Sequence, residues 1–453
     1  MKRKKSAWLG RLLAAGAAAG LVMLSGCAGS GAKREAAAPL TAETREKALE
    51  SYDYVYNTIK QTHWDTELVG AKWDEAHARL RPKVQDATTM VEARGATEEM
   101  IASLGQSHFG LIPADAYADV VGEDSETDAE AGTGDAGLQV RVVDGRAYVV
   151  SVVPDSTGAR AGVKPGWELE QVRGKDLAER LRVVAEEFEG QIKQGAMLSL
   201  AAEGALSGPV GSTVQVRFRD ENGKRATRKL ELAEPAGTPA KFGNLPTMYV
   251  RRDARRLESG VGYMSLSLFF DPAAVMPWYQ EQIASMQNAP GIILDLRGNR
   301  GGIGGMAMGM GARLVTQANQ KLGDMITRQT TIKFVLNPQA GSYAGRVAVL
   351  VDELSMSTSE ILAGGLQAIG RARVFGTRTP GMALPSRIER LASGDGFQYA
   401  TANYISADGQ VLEGHGVVPD ETVPPDPALL SQGRDPVIEA AEQWILGQNR
   451  PGT

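Results

Sequence analysis

Hydroxyl side chains cluster where the sequence predicts a buried strand running into a helix. The strand is the apolar run 347–351, and the helix is predicted over 361–369. The residues between them include Ser355, Ser357, Thr358 and Ser359. At such a junction the unpaired N–H groups and the positive end of the helix dipole can stabilise an oxyanion beside a serine nucleophile. The alternative is that these residues only cap the helix, as serines before helices usually do.

A glycine-rich loop follows a second predicted buried strand. The strand covers 291–296, and residues 297–305 read R-G-N-R-G-G-I-G-G. The loop lacks the G-K-[ST] of a phosphate loop and the G-x-G-x-x-G spacing of a dinucleotide site. Glycines after a strand let the backbone approach a ligand closely, so we interpret the loop as a second source of oxyanion donors.

Strands and helices alternate over 258–425, which predicts an α/β domain around these two loops. Residues 43–104 have helical periodicity, and 136–233 are rich in strands, with a longer helical segment at 176–206 and a hairpin predicted at Asn222-Gly223. The net charge of −5 provides no basic excess for nucleic acid. One cysteine and four histidines (His63, His77, His108 and His415) exclude a cysteine-rich zinc site and leave little for a metal site, so we expect no metal and no cofactor.

The N-terminus predicts export. Four cations at positions 2–5 precede an apolar run over 12–24 that is too short to span a bilayer. The run ends in L-S-G-C, which resembles a bacterial lipobox, so Cys27 is expected to be lipidated as the new N-terminus. Cleavage removes five cations and no anions, which changes the net charge from −5 to −10. A plain secretory signal with an incidental cysteine is the alternative.

Together the two loops resemble the core of the C-terminal processing peptidase family, with its R-x-N-x-G-G loop and its S-x-S-x-S-E segment before a helix. In that family the middle serine is the nucleophile, here Ser357. One branch pairs it with a lysine about 25 residues later, but that position holds Met382, which accepts no proton. A Ser–Lys dyad is therefore not expected.

The tricorn-like branch supplies other groups. Its L-x-x-S-H pattern matches residues 104–108, so the resemblance makes His108 the general base, with Ser107 beside it. Glu413, in the segment 404–420 that resembles the family's closing hairpin, would complete a Ser/His/Ser/Glu tetrad, with His415 as its competitor. An imidazole pKa near neutrality suits both proton transfers and predicts an activity limb at about pH 6 to 7. The oxyanion hole would use the N–H groups of Thr358 and Gly302, with Gly301 as the next choice.

A PDZ-like module is implied by G-L-Q-V at 137–140, the turn at 144–145 and G-V-K-P-G at 162–166. In PDZ domains such a loop holds a peptide C-terminus, here at Leu138, Gln139 and Val140. The helical insertion leaves a purely architectural module as the alternative.

The expected fold class is α/β in a multi-domain α+β chain, whose peptidase core has a mixed sheet of the ClpP/crotonase-like type. The predicted segments are a signal peptide (1–26), a tether (27–42), a helical region (43–121), an acidic linker (122–136), the PDZ-like module (137–235), the core (240–425) and a C-terminal helix and tail (426–453).

The expected function is that of an envelope-anchored serine endopeptidase or processing peptidase acting on peptides or unfolded proteins. It would face the periplasm or the exterior of a bacterial membrane. Oligomerisation stays open. The alternatives are a non-catalytic binding protein of the same fold and a PDZ scaffold.

Overall fold

The computed structural model describes residues 39–114, 133–241 and 247–447. Cys27, the signal peptide and most of the predicted tether and acidic linker lie outside these ranges. The helices are α1 (Ala42–Thr62), α2 (Ala71–Gln85), α3 (Met90–Ala102), α4 (Thr157–Arg160), α5 (Leu177–Glu187), α6 (Gln194–Ala205), α7 (Pro272–Ser285), α8 (Gly305–Ala312), α9 (Thr358–Ala368), α10 (Pro427–Ser431) and α11 (Pro436–Ile445). The strands are β1 (Gly110–Ile112), β2 (Thr133–Gly134), β3 (Leu138–Val143), β4 (Arg146–Val152), β5 (Glu168–Val172), β6 (Lys175–Asp176), β7 (Gly208–Pro209), β8 (Thr213–Arg219), β9 (Arg225–Glu231), β10 (Thr238–Ala240), β11 (Met248–Val250), β12 (Arg252–Arg256), β13 (Gly262–Leu266), β14 (Gly291–Asp295), β15 (Gln320–Thr327), β16 (Thr331–Leu336), β17 (Arg346–Val351), β18 (Arg373–Gly376), β19 (Ser386–Arg390), β20 (Gly396–Ala400), β21 (Ala402–Ser406) and β22 (Glu421–Thr422).

The central sheet has six strands in the order β12-β13-β14-β17-β18-β22. Strand β12 is antiparallel to β13, and the other neighbours are parallel. The predicted buried strands are β14 and β17, which lie side by side in the middle of the sheet. Because parallel strands end at the same edge, the loops that follow β14 and β17 are neighbours.

Both faces of the central sheet are covered, which explains the nearly continuous apolar runs in β14 and β17. Ile292, Leu294 and Val349 pack on one side with apolar residues of α7, α8 and α9. Ile293 and Leu350 pack on the other side with α11. This alternation follows from the two-residue period of a strand.

The strand-rich segment forms a second sheet in the order β3-β4-β5-β8-β9, with α5 and α6 packed against it. Asp144 and Gly145 join β3 to β4 with φ of 49° and 75°, as a two-residue hairpin turn of type I′ requires. The predicted N-G hairpin joins β8 to β9, with Gly223 at φ 77°. Both predicted hairpins are therefore confirmed.

The N-terminal helices reach the core through β1, which pairs antiparallel with β20. Apolar residues of α1, α2 and α3 form one cluster with β1 and β20, and this pairing fixes the segment that carries Ser107 and His108. Residues 404–420 begin with β21, which pairs with β15, and return through a single bridge from Ile405 to Val411.

The mixed α/β architecture confirms the predicted α/β class. Among the described residues, no helix combines the length and the apolar character needed to cross a membrane.

Candidate active site

Ser357 stands at the tip of the junction between β17 and α9, where it is the N-cap residue of the helix. Its backbone has φ 56° and ψ −117°, a conformation that costs a non-glycine residue about 1–3 kcal/mol and that is concentrated at functional sites. Ser355 donates its hydroxyl to Leu296 O at 2.8 Å, and Ser359 donates to Asn299 O at 2.8 Å. Both are fully buried and bonded to carbonyls of the preceding strand and loop, whereas Ser357 is 9% exposed, so Ser357 is the most accessible of the three hydroxyls.

The glycine loop after β14 lies directly against Ser357. A Cβ added to Gly301, whose φ is 92°, would stand 2.7 Å from the Cβ of Ser357. Asn299 shapes the loop, because its Oδ1 accepts from Gly301 N at 2.9 Å and its Nδ2 donates to Leu266 O at 2.7 Å. A residue larger than glycine at position 301 would therefore collide with the nucleophile.

The three predicted oxyanion donors differ in whether their N–H groups are already hydrogen-bonded. The N–H of Gly301 is already donated to Asn299. The N–H groups of Gly302 and Thr358 donate no hydrogen bond to any group in residues 39–114, 133–241 and 247–447. Thr358 in turn donates its hydroxyl to Gly302 O at 2.9 Å, which holds the two backbones together. Gly302 and Thr358 are thus the pair with N–H groups available for an oxyanion.

Ser107, His108 and Glu413 form one hydrogen-bonded chain. Ser107 Oγ lies 2.6 Å from His108 Nδ1 and donates to Glu413 Oε2 at 2.9 Å, and Ser107 N donates to Glu413 Oε1 at 2.7 Å. When Glu413 is ionised its carboxylate can only accept, so Ser107 gives its one proton to Glu413 and accepts from His108 Nδ1–H. This fixes the tautomer in which Nε2 keeps its lone pair, as a general base requires.

One peptide unit links this chain to the nucleophile. Ser357 N donates to Met382 O at 2.9 Å, and Ala383 N donates to Glu413 Oε2 at 3.1 Å. His108 Nε2 is buried and makes no hydrogen bond with any group in the described part of the chain, so no bond joins it to Ser357 in this arrangement. His108 itself has φ 61°, a second strained backbone at the site.

Burial shifts the pKa values of His108 and Glu413. It lowers the pKa of His108 to about 4, because the ring is 1% exposed and Ser107, a neutral group, lies between it and Glu413. This differs from the expectation of a pKa near neutrality. Burial raises the pKa of Glu413, while its bonds from Ser107 and Ala383 and the charge of Lys193 oppose the rise.

Three residues without a predicted role also shape the site. Glu360 accepts from Ser357 N, Thr379 Oγ1, Gly381 N and Met382 N at 2.6–3.0 Å, and burial raises its pKa to about 7. Glu360 is the final residue of the S-x-S-x-S-E segment, so the motif itself could have indicated its role. The other two residues are Asn299, which belongs to the R-x-N-x-G-G motif, and Lys193. No sequence motif indicates Lys193, which directly precedes α6.

Met382 is 1% exposed and packs with Leu354 and Met356 beside the second sheet. It supplies only a carbonyl to Ser357, so no proton acceptor stands at the family's lysine position. The other three histidines have different side-chain partners. His63 Nε2 is 2.8 Å from Gln106 Oε1, and His77 Nε2 is 2.9 Å from Asp53. The exposed His415 has its Nδ1 3.0 Å from the carbonyl oxygen of Glu413.

The predicted peptide-binding residues Leu138, Gln139 and Val140 begin strand β3 at the edge of the second sheet, on the side that faces α6. Among the described residues, no group of three or more His, Cys, Asp or Glu side chains could hold a metal ion.

Comparison with known proteins places the two loops in one family. Residues 260–423 match the model of peptidase family S41. The chain is 26% identical over 373 residues to carboxyl-terminal-processing peptidase 3 of Arabidopsis thaliana, covering 81% of this chain and 67% of that protein. It is 23% identical over 424 residues to a tricorn protease homolog of Streptomyces coelicolor, covering 89% of this chain but 33% of that protein.

Among solved structures, the photosystem II D1 C-terminal processing protease has the same fold. It superposes with a TM-score of 0.55 at 20% identity, over 86% of this chain and 95% of that one. The family resemblance drawn from the two loops is therefore confirmed: residues 260–423 form a peptidase family S41 core, and the chain is a relative of the carboxyl-terminal-processing serine peptidases.

Proposed function

We propose that this chain is an exported, lipid-anchored serine endopeptidase or processing peptidase that cleaves peptide bonds at Ser357 with His108 as general base. The observation that carries the proposal is the hydrogen-bonded chain from His108 through Ser107 to Glu413. Because His108 Nδ1 donates to Ser107 Oγ, which donates to Glu413, the buried Nε2 keeps its lone pair, and the Met382–Ala383 peptide unit joins this chain to Ser357.

The residues divide the reaction among them. His108 Nε2 takes the proton of Ser357 Oγ as the oxygen attacks the substrate carbonyl. The N–H groups of Gly302 and Thr358 hold the oxyanion, and His108 returns the proton to the leaving amine. Water then attacks the acyl-enzyme and gives a proton to His108; the bond to Ser357 Oγ breaks, the acid is released and His108 returns the proton to Ser357. Ser107, held by Glu413, accepts from the imidazolium at each step. The bond from Ser357 to His108 forms when substrate binds, as catalytic hydrogen bonds often tighten only in the substrate complex.

A second candidate is a non-catalytic binding or scaffold protein of the same fold. The observation in its favour is that His108 is buried and not bonded to Ser357. In this case peptides would bind without turnover.

Labelling with a fluorophosphonate probe, followed by mapping of the modified residue, tests the proposal. We expect the probe on Ser357 and its complete loss in Ser357→Ala, with the melting temperature retained. Ser355→Ala is the matched control for the register and should still label. His108→Ala should lower turnover by several orders of magnitude, as loss of a triad member does in other serine hydrolases. Binding of peptides without labelling or cleavage would favour the second candidate.

The lipid anchor is tested separately. Cys27→Ser should release the protein from the membrane fraction of its host. Retention in the membrane with residues 1–26 still attached would contradict lipidation at Cys27.

A further inference from the structure

The edge of β3 is already hydrogen-bonded by the chain itself. Strand β3 pairs with β4 on one side only, so the N–H groups on its other side are the ones a bound peptide strand would use. Val140 N instead donates to Glu203 Oε1 at 3.3 Å, and Val142 N donates to Ser199 Oγ at 3.2 Å, both on helix α6. At the start of the same edge, Gly137 N donates to Asp135 Oδ1 at 2.7 Å. Three N–H groups along this edge, those of Gly137, Val140 and Val142, therefore already have acceptors within the chain.

The acceptors on α6 also hold the two loops of the active site. Glu203 Oε2 accepts from Arg300 of the glycine loop at 2.5 Å. Ser199 Oγ donates to Glu353 Oε1, in the segment that leads to Ser357, at 2.9 Å. The helix thus contacts β3 on one side and both catalytic loops on the other.

A buried arginine completes the connection. Arg141 of β3 is 3% exposed and pairs with Asp352 at 2.7 Å and Glu203 at 2.9 Å. Asp352 Oδ1 in turn accepts from Gly298 N at 2.8 Å and from Leu354 N at 3.0 Å, so it joins the start of the glycine loop to the nucleophile loop. Because a buried cation is costly without a paired anion, removing the Glu203 carboxylate would leave both Arg141 and Arg300 without one of their ion-pair partners.

We propose that helix α6 occupies the free edge of β3 as an internal ligand, so that the module formed by residues 133–233 is a fixed clamp on the catalytic loops and not a site that adds a peptide strand. Glu203 is then a positioning residue for the glycine loop and the nucleophile loop. A peptide that entered the edge would have to displace Glu203 and Ser199, and would release both loops. Only the activity measurements below depend on the proposed function.

The first experiment asks whether the edge accepts peptides. It uses full-length Ser357→Ala protein, a pool of fluorescent decapeptides with free C-termini, and the same pool amidated. We expect no saturable binding that distinguishes the two pools, and slow amide hydrogen exchange at Val140 and Val142 that the peptides leave unchanged. Saturable binding of the free-carboxylate pool with a change in exchange at β3 would overturn the proposal.

The second experiment tests the clamp with Glu203→Gln. The matched control is Glu170→Gln, because Glu170 lies on β5 of the same module and pairs with Arg217, Arg219 and Arg225 away from the loops. We expect faster hydrogen exchange over 297–302 and 352–357 in Glu203→Gln only. We also expect a kcat and a rate of fluorophosphonate labelling that fall on the order of 10- to 100-fold with little change in KM, since small misplacement of catalytic groups has effects of this size.

Unchanged exchange in both loops, or an increase in labelling, would overturn the proposal. Ser199→Ala, which removes a single hydroxyl, replaces Glu203→Gln if that variant does not fold. A wild-type protein that the probe does not label would refute the proposed peptidase function, while the exchange and peptide-binding results would still decide whether α6 is an internal ligand.

Discussion

The pKa of His108 is the quantity on which the proposed base depends most directly. The ring is buried, and within the described residues its hydrogen-bond partner is the neutral Ser107, so its cation loses hydration without gaining a direct ion-pair partner. A pKa of about 4 in place of the ordinary 6.5 means that protonating this ring costs about 3 kcal/mol more than protonating an exposed one.

A lower pKa of the base should move the acidic limb of the pH–activity profile to lower pH. With a pKa of about 4, more than about nine-tenths of the enzyme still has a neutral base at pH 5.5. With an ordinary imidazole pKa of about 6.5, only about one-tenth would be neutral at that pH. The profile of kcat/KM, which reports the free enzyme, should therefore stay flat down to about pH 5 and fall near pH 4.

A nuclear magnetic resonance titration measures the same pKa without substrate. The chain has four histidines, so four ring Cε1–H signals are expected, and His108→Gln assigns the one of interest. The exposed His415→Gln is the control variant. The signal of His108 should titrate near pH 4.

Stability provides an independent check with a definite sign. Between pH 6.5 and about 4 the unfolded chain binds a proton at this histidine and the folded protein does not, so the free energy of unfolding falls as the pH drops through that range, by about 3 kcal/mol. His108→Gln should remove this part of the acid sensitivity. A ring titration with its midpoint between pH 6 and 7, or a kcat/KM limb in that range that disappears in His108→Gln, would refute the reasoning.

Three further predictions concern neighbouring residues. Gly301→Ala should abolish probe labelling, because its Cβ would stand 2.7 Å from the Cβ of Ser357, whereas Gly305→Ala, with no atom within 4 Å of its Cβ, should label normally; equal labelling would contradict the packing. Burial raises the pKa of Glu98 to about 8, so the folded protein retains a proton that the unfolded chain loses above about pH 4.5, and stability falls as the pH rises from about 4.5 to 8. In urea denaturation at pH 9, Glu98→Gln should therefore have a higher free energy of unfolding than wild type, by at most about 5 kcal/mol. At pH 4 it should show no such gain. Met382→Lys should not restore peptide cleavage to a His108→Ala protein and should lower the melting temperature of wild type, because the side chain is buried among apolar residues; recovered cleavage would favour a lysine base.

Local pattern was enough to predict the strands and the loops that follow them. The apolar runs became β14 and β17 because a strand covered on both faces needs apolar residues at every position. The D-G and N-G turns became hairpins because few residues accept positive φ. The S-x-S-x-S-E and R-x-N-x-G-G segments were sufficient to identify the family, since each is continuous in the chain.

Contacts between distant segments could not be predicted in the same way. Ser107 and Glu413 are 306 residues apart and meet only because β1 pairs with β20 and the return after β21 brings Glu413 back. The pKa of His108 depends on how completely those segments exclude water, which no local pattern encodes. The contacts of Glu203 have the same origin, because Arg141 approaches it from strand β3 and Arg300 from the glycine loop. The sequence by itself thus determined which groups are available for the chemistry, and the tertiary structure decided their protonation, their partners and the β3 edge that α6 covers, because burial and long-range pairing are properties of the packed chain.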